Sequence, residues 1–247
     1  MECLNCSHVY QNPQPLFEEL KNRYGDNYFH YEFQNEENFF QLMLLGLKDI
    51  AFETWEEPLR SKGAFLDIGC ATGRLLSYMK ERGWKVQGVE ICEASAQYGI
   101  NIRKVPIFIG PLEDAPVADF SFALIHASHL IEHLTDPIGF LKKVYALLIE
   151  GGQAVIVTPN ISGLQAKLLG NKWRSCIPDH MQLFSKKNLK RCMQTLGFRI
   201  LHIQTWGGIA KGLSPTWLKK LLDGAAKRYG FGDVVLFHVE KGRQTDS

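Results

Sequence analysis

The stretch that most constrains this chain is Ala64–Arg74, which reads AFLDIGCATGR. Phe65, Leu66 and Ile68 form a short apolar run suited to a buried strand, with Asp67 set into it near its end. Gly69, Ala71 and Gly73 then alternate, and Leu75, Leu76 and Met79 recur at helical spacing. A strand, a tight turn of small residues and a helix start let a ligand touch bare backbone at the C-terminal edge of a parallel sheet. Glu90 closes the next apparent strand, Val86–Glu90, where a carboxylate is a good acceptor for two ribose hydroxyls.

Two other glycine motifs make different demands. A phosphate-binding P-loop ends in Gly-Lys-Ser/Thr, whereas Gly73 is followed by Arg74 and Leu75. A dinucleotide fingerprint starting at Gly69 needs glycines at 71 and 74, where this chain has Ala71 and Arg74. The pattern D-x-G-x-A-x-G with Glu90 downstream fits a nucleoside cofactor with no phosphate to cradle.

From Ala64 onward strand and helix alternate. Strands are expected near 64–68, 85–90, 106–109, 121–126 and 152–158, and helices near 73–82, 93–101 and 137–149. This rhythm predicts an α/β fold with a mostly parallel, doubly wound sheet. Phe184–Leu196 reads as a further helix capped by Ser185, Phe198–Gln204 as a strand, Trp217–Tyr229 as a helix and Val234–Glu240 as a buried last strand. Ahead of Ala64, Leu16, Phe17, Leu20 and Tyr24 suggest a short helix. Phe39, Phe40, Leu42, Met43, Leu47, Ile50, Ala51 and Trp55 fit one long amphipathic helix over Glu36–Glu57, ended by Pro58 and covering the sheet and one wall of the cleft. The expected division is an N-terminal extension over residues 1–60 and a catalytic domain over 61–247.

The 247 residues suffice for a sizeable core, and 45% apolar with 22% charged content is ordinary for a globular protein. A formal charge of +2 and the lack of a basic aromatic patch argue against nucleic acid as a partner. No apolar run is long enough to span a bilayer, and no secretory signal pattern opens the chain, so no membrane partner and a cytoplasmic location are expected. The six cysteines lie mostly inside apolar elements, which suits reduced thiols. Cys3-Leu-Asn-Cys6 resembles the second half of a zinc ribbon. A tetrahedral zinc needs four ligands. With only Met1-Glu2 ahead of Cys3 and His8 close behind as a third donor, the expectation is a vestigial ribbon with two free thiols.

Taken together, these stretches resemble the class I S-adenosylmethionine-dependent methyltransferases, in the branch of ubiquinone-pathway and sugar O-methyltransferases. LDIGCATG is similar to the first cofactor motif of that family and GVEIC to the second. Pro111-Leu112-Glu113-Asp114 stands where the family contacts adenine. HASHLIEHLTDP, LLIEGGQAVIVTPN and DHMQLFS are similar to the later blocks in order and spacing. The chain departs from the family at Ala71, usually glycine, and at Ala123, usually an acid. The resemblance implies a Rossmann-like sheet of seven strands with the last antiparallel. It also implies S-adenosylmethionine as cofactor and S-adenosylhomocysteine as product. The cofactor residues are then Asp67, Gly69, Cys70, Ala71, Gly73, Glu90, Ile91, Leu112, Glu113, His126, Ala127 and Ser128.

A sulfonium methyl is already activated, so such a protein mainly aligns an in-line displacement, and alignment can contribute about 7–11 kcal/mol in the best intramolecular models. A hydroxyl acceptor gains from a base of near-neutral pKa, which makes His133 and His180 the catalytic candidates. If the stretch is helical, His129, Glu132 and His133 share a face. No metal ligand is assigned, although His129, Glu132, His133 and His180 together would suit a divalent ion, as a comparable Glu-x-x-Glu-His cluster does in some relatives. The acceptor is expected to be a small molecule, with a hydroxyl of a sugar or other metabolite first, and the protein a monomer or homodimer. Two alternatives are a methyltransferase-fold protein with a regulatory, non-catalytic role and a protein or nucleic-acid methyltransferase. The chain has no Asn-Pro-Pro-Tyr-type motif; Thr158-Pro159-Asn160 stands in that region.

Overall fold

The computed structural model describes residues 1–15, 25–119, 121–208 and 216–242. The short helix expected over 16–24 lies outside them. The chain divides into two compact units: Pro15–Ser128 with Val144–Val155 and Glu240–Ser247, and Met1–Gln14 with His129–Lys143 and Ile156–Val239.

The first unit carries α1 (Asp26–Asp49), α2 (Phe52–Arg60), β2 (Ala64–Ile68), α3 (Arg74–Glu81), β3 (Val86–Glu90), α4 (Glu93–Tyr98), β4 (Ile107–Ile109), β5 (Phe122–Ser128) and the opening of β6 (Leu148–Pro159). Strand β2 pairs in parallel with β3 on one side and β5 on the other, and β3 pairs in parallel with β4. Strand order therefore reverses at β2, and the ends of β2 and β5 bound the crevice where open α/β sheets hold ligands. Phe65, Leu66, Leu76 and Met79 are fully buried and seat α3 on the sheet.

The N-terminal cover differs from the single long helix that periodicity predicts. Ala51 takes a left-handed φ of 52° and splits it into α1 and α2. Pro58 sits inside α2 rather than ending a helix. Its ring removes one N–H from the ladder, and α2 stops two residues later at Arg60. What fixes α2 is Glu56, which accepts from Arg82 Nε and from Trp84 Nε1, each at 2.9 Å. Those partners hold the Glu56 carboxyl below its usual range against the opposing effect of burial.

The second unit carries β1 (Val9–Tyr10), α5 (Pro137–Leu147) through Lys143, the end of β6, α6 (Leu164–Leu169), β7 (Gln182–Leu183), α7 (Lys186–Thr195), β8 (Phe198–Trp206), α8 (Thr216–Tyr229) and β9 (Val234–Lys241) through Val239. Ser185 caps α7 as expected, accepting from the Asn188 N–H at 3.1 Å. Strand β1 pairs antiparallel with β7, so the segment after Cys6 adds to a two-stranded sheet. In the main sheet the order is β4-β3-β2-β5-β6-β9-β8, with one antiparallel strand, matching the expected seven-stranded Rossmann-like architecture.

Candidate active site

The turn after β2 is built by left-handed residues at alternate positions: Gly69 at φ 72°, Ala71 at 45° and Gly73 at 72°. Glycine reaches this region without penalty, whereas Ala71 occupies it at a steric cost of about 1–2 kcal/mol. Gly73 also meets a packing limit, because a Cβ there would lie 2.8 Å from Val105 Cγ2. The Gly69 N–H donates to the Val89 carbonyl at 2.8 Å, tying the turn to β3.

Three polar side chains meet this turn. Asp67 stands opposite His126 in the β2–β5 register, and its Oδ1 lies 2.7 Å from His126 Nδ1, both groups being buried. Glu90 Oε2 accepts the Ala71 N–H, and its Oε1 accepts the Cys92 N–H, each at 2.8 Å. Burial raises the Glu90 carboxyl, with the charge of Asp67 adding to it, and the N–H groups of Cys92, Ala71 and Ile91 oppose the shift. A carboxylate offers about four acceptor sites, so Glu90 retains capacity for a ligand hydroxyl beyond these backbone donors. Burial, with Asp67 and Glu90 nearby, pushes the Cys70 thiol well above its ordinary range, so it stays protonated and packs as a small apolar group. The Gly110 N–H donates to the Glu90 carbonyl at 2.9 Å, and Leu112 is buried at the short helical turn that follows, which also carries Glu113. Ala127 is buried, while Ile91 and Ser128 are partly exposed at the ends of β3 and β5.

Sequence reasoning missed the residues that α1 brings to the turn. Glu32, Glu36 and Met43 face Asp67, Ala71 and Thr72 across a cavity of about 30 Å³. The apolar periodicity of α1 predicts a covering helix, but nothing in it marks Glu36 as a partner of Thr72 or Arg103.

In the second unit, His129, Glu132, His133 and His180 do come together. The stretch is a 3₁₀ turn, Ile131–His133, rather than a longer helix. Glu132 is fully buried; its Oε1 lies 3.1 Å from His129 Nδ1 and its Oε2 accepts from Thr158 Oγ1 at 2.9 Å. Burial raises its carboxyl, but His129 and the charge of His133 outweigh that and hold it low. His133 Nδ1 is 2.8 Å from the Asp179 carbonyl and His180 Nδ1 is 2.8 Å from the Ser175 carbonyl. A carbonyl only accepts, so when either ring is neutral its proton sits on Nδ1 and its lone pair on Nε2. The two rings meet edge to face at 4.8 Å. Burial lowers the His180 pKa further, favouring the neutral ring. Glu132, His133 and His180 each bring one ligand atom within 4.8 Å of the others, the one such group of metal-ligand type found among the described residues. His8 Nε2 pairs with Gln182 Oε1 at 2.8 Å.

The switch-point crevice, the glycine turn and the acid at the end of β3 together form a cleft suited to a nucleoside ligand. The methyltransferase-domain family model matches residues 37–203, more than half of the sequence, and the chain belongs to that family. It is 33% identical over 113 residues to a ubiquinone biosynthesis O-methyltransferase of Idiomarina loihiensis, covering 42% of this chain and 45% of that one. It is 25% identical over 136 residues to a probable S-adenosylmethionine-dependent methyltransferase of Mycolicibacterium smegmatis, covering 55% and 51%. The chain thus spans about half the length of the curated relatives it matches. A crystal structure of an S-adenosylmethionine-dependent methyltransferase from Archaeoglobus fulgidus shares the fold at a TM-score of 0.61 and 21% identity, covering 87% of this chain and 100% of that one.

Proposed function

We propose that the chain transfers a methyl group from S-adenosylmethionine to a small-molecule hydroxyl, on a sugar or another metabolite, releasing S-adenosylhomocysteine. The observation that carries this reading is Glu90, a buried carboxylate at the end of β3 held by backbone N–H groups of Ala71 and Cys92, beside the turn that Asp67 precedes. In this reading Glu90 takes the ribose hydroxyls and Asp67, braced by His126, anchors the methionine end. Gly69, Cys70, Ala71 and Gly73 bring backbone close to the donor. Ile91, Leu112 and Glu113 flank the adenine, and Ala127 and Ser128 pass beside the sulfonium. An O–C bond forms as the C–S bond breaks, its electron pair neutralises the sulfonium, and the hydroxyl proton goes to an imidazole. His133 and His180 are assigned that proton, because the carbonyl partner of each Nδ1 leaves Nε2 as the site of the lone pair in the neutral ring. The domain reading that goes with this function makes residues 61–247 the catalytic domain and 1–60 an extension.

Methyl transfer from labelled S-adenosylmethionine across a panel of sugars, phenols and other hydroxylated metabolites tests the assignment. Transfer to an oxygen that is lost in His133→Ala or His180→Ala supports it. Donor binding with no transfer to any acceptor would favour a non-catalytic role.

The Glu132, His133 and His180 cluster favours a second reading of the same residues. One carboxylate and two imidazoles with free Nε2 atoms suit a divalent transition metal, and the carbonyl partners at Nδ1 are what fix metal-binding histidines. Such an ion would polarise an acceptor oxygen. Metal analysis and activity with and without chelator separate this reading from a metal-free base. The same metal analysis bears on Cys3 and Cys6, which we read as the remnant of a zinc ribbon.

A further inference from the structure

Helix α1 meets the donor turn at an ion-pair cluster on Glu36, next to a more exposed pair between Glu37 and Arg74 at 3.8 Å. Arg103 Nη2 lies 2.5 Å from both carboxylate oxygens of Glu36. Thr72, within the turn, donates its hydroxyl to Glu36 Oε1 and accepts Arg103 Nε on its carbonyl at 3.0 Å. Arg103 reaches this position from the end of a π-helical turn, Gly99–Arg103, and its guanidinium lies 5.3 Å from the centre of the Tyr98 ring. Gly99 permits the approach, since a Cβ there would fall 2.9 Å from the Thr72 carbonyl oxygen. Three separate stretches of chain therefore converge on Glu36.

Two further observations give this cluster a role in the reaction. The cavity between α1 and the turn, about 30 Å³, holds a water or two. A donor tail that passed between α1 and the turn would part Glu36 from Thr72 and Arg103. Side-chain exposures of 13% for Arg103 and 19% for Glu36 leave the pair mostly dry yet reachable by water and salt. Such a pair is stronger than a surface ion pair and still able to open.

We propose that Glu36 and Arg103 are positioning residues that latch helix Asp26–Asp49 across the donor turn and so set how fast donor enters and product leaves. The proposal rests on the reading of the turn as the S-adenosylmethionine site. Opening the latch is the step that donor exchange waits for, and closing it holds α1 against the turn while the methyl group transfers.

The test is a chase experiment. Full-length protein loaded with labelled S-adenosylmethionine is chased with unlabelled S-adenosylhomocysteine, and retained label is followed over time. Glu36→Gln and Arg103→Gln should each release label about tenfold faster or more, and the double variant about as fast as either single one, because the two residues act as one unit. Raising salt from about 0.05 to about 0.5 M should speed release from the wild type and leave Glu36→Gln unchanged. Lys48→Gln, exposed in the last turn of the same helix and away from the latch, should behave as the wild type. A latch that merely supports folding would give none of this salt pattern. Release from Glu36→Gln and Arg103→Gln within about twofold of the wild type, with no salt effect on the wild type, would overturn the latch while leaving the donor site standing. Failure of the wild type to take up label at all would overturn the donor site and the latch with it.

Discussion

Glu90 and Ala71 are joined by a hydrogen bond of 2.8 Å from the Ala71 N–H to Glu90 Oε2, so the acid that ends one strand also shapes the turn that follows its neighbour. Ala71 holds this geometry at φ 45°, a left-handed conformation that its methyl group disfavours. Ala71→Gly relieves that strain and loses some rigidity of the unfolded chain, for a net gain of about 0.5–1 kcal/mol in unfolding free energy. Ala71→Val, β-branched at the same φ, should cost at least as much. Denaturant unfolding of the three proteins measures both shifts; a Gly variant less stable than the wild type would contradict the strain argument.

Glu132 is buried with no exposed surface and depends on Thr158 for one oxygen. Thr158→Val removes that donor at nearly constant volume and leaves a carboxylate oxygen unpaired, a loss of about 1–3 kcal/mol. Thermal or urea unfolding reads the change. Unfolding unaltered by Thr158→Val would show that the oxygen finds another donor.

Burial lowers His180 from an ordinary value of 6.5, with His133 and His129 adding to the shift and Glu132 opposing it. A base acts in its neutral form, and a lowered pKa extends the neutral form toward acid. If His180 takes the acceptor proton, turnover holds as pH falls through 6.5 and declines only below it. A rate–pH profile checks this, and an acid limb centred above 6.5 would remove His180 from the role.

His238 is buried in β9, and that burial, followed by the charge of His202, lowers its pKa from 6.5 to about 4. The unfolded chain takes up a proton below 6.5, while the folded chain resists until about 4. The stability is therefore fully present above pH 6.5 and falls as pH drops through this window, by up to about 3 kcal/mol. His238→Gln, which does not titrate, should lose less stability across the same range. Equal losses in both proteins, measured by urea unfolding at several pH values, would contradict the assignment.

The strands and the glycine turn were legible in the sequence because each is local. Apolar runs of strand length mark β2, β3 and β5, and Gly69, Ala71 and Gly73 stand within five residues of one another. Asp67 and His126 were legible as strand-end polar groups, although their contact needs the parallel register of β2 with β5. The break at Ala51 was not legible. Ile50, Ala51 and Trp55 continue the apolar pattern, and a single residue turning left-handed leaves that pattern intact. Glu36, Thr72 and Arg103 were hidden for another reason. Each is an ordinary surface type in its own stretch, and Glu36 meets partners 36 and 67 residues away only once α1 lies on the turn. His133 and His180 stood out as residue types, while the carbonyl partners that fix their tautomers belong to backbone that no pattern of side chains announces.

Donor binding, measured by isothermal calorimetry with S-adenosylhomocysteine, tests the site most directly. Wild-type protein should bind with measurable heat at one site per chain. Asp67→Ala and Glu90→Ala should each weaken binding about tenfold or more, about 1.4 kcal/mol. Circular dichroism on the same samples confirms that each variant is folded. No heat with the wild type, or undiminished affinity in both folded variants, would contradict the assignment of Asp67 and Glu90 to the methyl donor.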